Sequence, residues 1–82
     1  MEFWTTLIQV TGAPTIASRD ALRKNCTHVA GPYWIMEGDV DYLRDEGVHL
    51  LELAEGAVSS LGDLSPAELK QVCLRSFRVW IP

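Results

Sequence analysis

Apolar and polar positions change rhythm several times along this chain, and each change predicts an element. Over residues 3–10, Trp4, Thr6, Ile8 and Val10 alternate with Phe3, Thr5, Leu7 and Gln9. Both faces of that strand are largely apolar and β-prone, which is the pattern of a strand inside a sheet. Thr11-Gly12-Ala13-Pro14 breaks it. Residues 15–26 then read as a short helix, capped by Thr15 or Ser18, with Asp20 in its first turn and Arg23 and Lys24 in its last. Ser18, Leu22, Cys26 and Val29 share one face, so Leu22 and Cys26 are expected in the core. Gly31-Pro32 stops this element. Tyr33-Trp34-Ile35-Met36, closed by Glu37-Gly38-Asp39, reads as a short strand.

From Val40 the spacing lengthens. Apolar or small residues recur at Leu43, Gly47, Leu50, Ala54, Ala57 and Leu61, in alternating steps of three and four that define a helical face, with Asp39 or Asp41 as cap. Gly47 and Gly56 oppose this, since each costs about 1 kcal/mol relative to Ala inside a helix. The rival parse ends a short helix at Gly47 and makes 48–53 a strand. The helical reading is preferred, with a break or kink near Gly47 and a stop at Gly62. Ser65-Pro66-Ala67-Glu68 is a capping box with proline at the first helical position, and Leu64 and Leu69 supply the hydrophobic staple. Leu69, Val72 and Cys73 face inward from that helix. Phe77, Val79 and Ile81 alternate with Arg78 and Trp80, predicting a final strand beside the first; continuation of the helix is the alternative. The expected architecture is α+β, a small two- to three-stranded sheet packed against two or three helices, in a single domain over residues 1–82.

Length limits the chemistry. A domain of 82 residues buries only about 60–65% of the surface its unfolded chain exposes, so its core is thin. The large rings of three Trp, two Tyr and two Phe add to that core. No apolar run approaches the roughly 20 residues that cross a bilayer, and Met1-Glu2-Phe3-Trp4 is not the start of a secretory signal. With only Cys26 and Cys73, a disulfide scaffold is not expected, and the pair reads as core thiols of a cytoplasmic protein.

Net charge is −4, which argues against a general nucleic-acid binder. The distribution is sharper than the total. Residues 1–36 carry +1, residues 69–82 carry +3, and residues 37–68 set nine acids against Arg44 alone. Metal, nucleophile and phosphate motifs are missing. Cys26 and His28 form one weak pair with no second pair to complete a zinc site. A calcium loop begun at Asp41 puts Leu43 at the third place and its glycine one place late, at Gly47. His28 and His49 sit in no catalytic motif, and Gly12 stands alone rather than in a phosphate loop. No enzyme activity, cofactor or metal is therefore expected. Asp41 and Asp45, four apart, repel one another on a helix, and such a cluster steers a basic partner by long-range attraction. The expected function is a small acidic protein-interaction module, in its most concrete form a phage- or mobile-element-type inhibitor. It would occlude the basic surface of a nucleic-acid-handling complex through Glu37, Asp39, Asp41, Asp45, Glu46, Glu52 and Glu55. The alternative is a small nucleic-acid-binding or regulatory domain using the basic helix 15–26 and the basic tail. Exposed rings near Trp80 leave a homodimer open.

Overall fold

The computed structural model describes residues 3–82; Met1 and Glu2, the first half of the segment read for a leader, lie outside the described residues. Strand β1 (Phe3–Gly12) leads to helix α1 (Ile16–Asn25), the hairpin strands β2 (Cys26–Ala30) and β3 (Tyr33–Glu37), and helix α2 (Val40–Asp45). Strand β4 (His49–Val58), helix α3 (Pro66–Val72) and a π-helical turn, Cys73–Phe77, complete the described elements. All neighbouring strands are antiparallel, in the order β2-β3-β1-β4. The class is α+β, and the sheet has four strands rather than the two or three expected.

β1 lies inside the sheet, as its two apolar faces require. Leu7 and Ile8 are both fully buried, yet they enter different cores. Leu7 packs with Ile35, Val58, Leu69, Phe77 and Ile81 under α3 and the tail. Ile8 packs with Leu22, Met36, Val40, Leu43 and Val48 under α1 and α2. The sheet is thus the middle of three layers, with α1 and α2 on one face and α3, the π-helical turn and the tail on the other.

Three expectations are corrected. The helical face drawn from Val40 to Leu61 is a six-residue helix followed by a ten-residue strand. Gly47 adopts φ +92°, a left-handed conformation that ends α2, and the edge of β1 that β3 does not pair takes β4 as the partner for its backbone groups. Leu50 and Ala54, counted on one helical face, pack on opposite sides of the sheet. The helix read over 15–26 stops at Asn25, whose side-chain amide donates to the Ala21 carbonyl at 2.7 Å. The chain turns straight into β2 there, so Val29 lies in the core on the other side of the sheet from Leu22. The tail, finally, is not a strand. Both edges of β1 are occupied by β3 and β4, and the helix runs on through Phe77 until Arg78 reverses it at φ 60°. Ile81 still reaches the core, through loop backbone that pairs with no strand.

Capping follows the sequence closely. Thr15 caps α1 in a reciprocal box with Ser18, each accepting the other's backbone N–H at 3.0 Å. Ser65 and Glu68 do the same for α3 at 3.1 and 3.2 Å, with Pro66 in the first turn.

Candidate functional site

Of seven candidate acidic residues, six lie on α2, its caps or the α2 side of β4. Asp39 caps α2 by accepting the Asp41 N–H at 2.9 Å. Asp41 and Asp45 are exposed on α2, and Glu46 caps its C-terminal end. Glu52 and Glu55 are exposed on β4. Arg44 links helix to strand, 3.0 Å from Asp41 and 3.3 Å from Glu52. Those two carboxylates also raise the Arg44 pKa by hydrogen bonding, so it stays charged throughout any accessible pH range.

Glu52 and Glu55 share a face because of one residue. On a regular strand, positions three apart point to opposite sides. In β4, however, Ile8 pairs with Glu52 and Leu7 with Ala54, leaving Leu53 as an extra residue in a bulge. Alternation resets there, and Glu55 pairs with Thr6 on the same face as Ile8 and Glu52. That is the face α2 covers. Nothing in the sequence marks Leu53 as the bulged residue.

Glu37 is the exception. It follows Ile35 by two residues at the end of β3 and pairs with Thr5, so it points to the α3 side, away from the other six.

Two features sharpen the site. Asp45 and Glu46 sit at the C-terminal end of α2, where the helix dipole disfavours negative charge. Their charge works against the local structure that carries it. Trp4 pairs with Ala57, next along this face from the Thr6–Glu55 pair, and is 64% exposed. Large rings beside charged groups are common anchors of protein interfaces. Sequence reading placed Trp4 in a strand but gave no sign that its end of the face lacks a covering helix.

The basic residues do not gather. Arg19, Arg23 and Lys24 belong to α1 on one face of the sheet, and Lys70 and Arg75 belong to the helical layer on the other. Arg19 is committed to the Ala13 carbonyl at 3.0 Å.

Thiol and histidine chemistry is equally dispersed. Burial pushes the Cys26 thiol up to about 12 and the Cys73 thiol up to about 11, values at which neither is a nucleophile near neutrality. Cys26 points its thiol at the Met36 thioether, 3.5 Å away. His28 bonds the Gly31 carbonyl at 2.9 Å and lies against Trp34, with ring centroids 4.6 Å apart. Among the described residues, no three His, Cys, Asp or Glu side chains converge as a metal site requires. Among the described residues, no helix is long and apolar enough to cross a membrane. No family model, curated protein or solved structure matches the chain.

Proposed function

We propose that this protein is a non-enzymatic interaction module that offers the acidic face of α2 and β4 to a basic protein surface. Its most concrete form is a small inhibitor of the phage or mobile-element kind, occluding the basic surface of a nucleic-acid-handling complex. One observation carries the reading: the bulge at Leu53 turns Glu52 and Glu55 to the side where α2 carries Asp39, Asp41, Asp45 and Glu46, with Arg44 the single basic side chain bonded among them. Residues 39–58, which form α2, its caps and β4, hold six carboxylates and one guanidinium, and the basic residues on the same side of the sheet belong to α1; the α2–β4 part of the face attracts a basic surface. The unfavourable placement of Asp45 and Glu46 at a helix C-terminus supports a role outside the fold.

The test is charge reversal with the fold monitored in parallel. D41K/D45K/E46K is expected to remain folded, because all three side chains lie at the surface of a two-turn helix or its cap. Its affinity for the basic partner should fall by at least about tenfold, equivalent to about 1.4 kcal/mol. Wild-type binding should weaken steeply as salt shortens the screening length to below about 8 Å. Undiminished binding by the triple variant would refute the acidic-face reading.

A further inference from the structure

The acidic face ends on an open sheet edge. β4 is the outermost strand, hydrogen-bonded on one side only, to β1. Its ten residues span about 30 Å. In an antiparallel strand half of the backbone N–H and C=O groups point away from the neighbour, and along β4 these meet no other backbone among the described residues. The opposite edge, β2, is half as long and runs directly out of α1. Natural edge strands are commonly guarded by shortness, proline, bulges or charged side chains, lysine above all, and β4 carries the bulge at Leu53 and the carboxylates of Glu52 and Glu55. Between Val48 and Val58 there is no Lys, Arg or Pro. The side chains along the edge are two-sided instead. Glu52 and Glu55 stand exposed on the α2 face, and Leu51, on the α3 face opposite Gln9, is 55% exposed. Arg44 partly neutralises Glu52, while Glu55 has no ion-pair partner among the described residues.

Building on the acidic-face reading, we propose that β4 is a strand-addition site for an extended basic segment of the partner, with Lys or Arg side chains over Glu52 and Glu55 and apolar ones beside Leu51. Backbone ladder bonds supply affinity that is blind to sequence, and the alternation of charge and apolar contact supplies specificity. A second copy of this chain is a poor occupant. Two β4 strands joined edge to edge would bring four carboxylates to one face, and like charges across a strand pair are destabilising.

The probe is a capped nine-residue peptide alternating Lys and Val, compared with a peptide of the same composition in block order. Both are titrated into the full chain at low salt, with backbone amide exchange read by NMR. The alternating peptide is expected to slow exchange of outward-facing β4 amides at least tenfold. The block peptide should bind at least tenfold more weakly, and Glu55→Lys should reduce binding of the alternating peptide by a similar factor. If both peptides bind alike in a salt-sensitive way and leave the β4 amides unprotected, the acidic face stands and strand addition is overturned. If neither binds at low salt, both readings fall. If the free chain is a dimer in which those amides are already protected, the edge belongs to a second copy and the proposal is overturned.

Discussion

Gly56 shows how closely one residue can be tied to its surroundings. A Cβ there would lie 3.1 Å from the Ser76 carbonyl oxygen and 3.4 Å from the Phe77 ring. The carbonyl belongs to the π-helical turn, and Phe77 is buried in the core under α3. Neither can move aside easily, so absence of a side chain at Gly56 is what lets the turn sit against β4. The Thr5 hydroxyl, fully buried, uses the same place to donate to the Gly56 carbonyl at 3.0 Å. Gly56→Ala is therefore expected to destabilise the fold by about 1–3 kcal/mol, the usual cost of overpacking a core, seen as a lower denaturant midpoint with unchanged slope. In a helical reading this glycine looked like a simple weakness. Its purpose is legible only once the segment is a strand under the π-helical turn.

At the scale of elements, α3 rests on its own first turn. Hydrogen bonds from the Ser65 backbone and hydroxyl hold the Glu68 carboxyl below its ordinary value of 4.5. A depressed carboxylate contributes stability that is present above the unfolded-state value and is lost as pH falls through the folded one. Helix content near α3 should thus decline as pH drops below 4.5, and Glu68→Gln should flatten that decline, measured by circular dichroism against pH. Ser65→Ala, which removes the cap at every pH, should cost about 1 kcal/mol. This helix was readable in advance because all its signals lie within a few consecutive residues. α2 and β4 were not. Val40 to Leu61 carries a real three-four spacing, but the left-handed turn at Gly47 and the pairing of 49–58 with the second edge of β1 outweigh it. The same misreading hid the bulge at Leu53, and with it the alignment of Glu52 and Glu55.

Across the whole molecule, the sheet acts as a partition. Cys26 packs in the core under α1 and α2, and Cys73 in the core under α3, so the two thiols face opposite sides of the sheet and cannot meet. Oxidation of the native chain should yield no intramolecular disulfide, and both thiols should resist alkylation until the protein is denatured, as mass spectrometry will read. Because burial raises both thiols, folding favours their protonated forms. Stability is intact below their ordinary value of 9.0 and declines as pH rises toward about 11 and 12. Cys73→Ala should shift alkaline unfolding to higher pH even if it lowers stability at neutrality. The partition also sorts charge. It sends α1's basic residues and those of α3 and the π-helical turn to opposite faces, and it separates Glu37 from the six acids on the α2 face.

By itself the sequence determined the α+β class, the two-faced strand β1, the capped starts of α1 and α3, and the concentration of acid between residues 37 and 68. Each of these is written in neighbouring residues, where local hydrogen bonds, dihedral preferences and simple charge counting decide the outcome. Tertiary structure alone decided that 49–58 is a strand, that the tail packs without pairing, and that six of seven acids share a face ending on an open edge. Those outcomes depend on which strand edges are already filled and on where one extra residue resets alternation. Both are settled between segments far apart in the chain, where a local pattern holds no information about its partner.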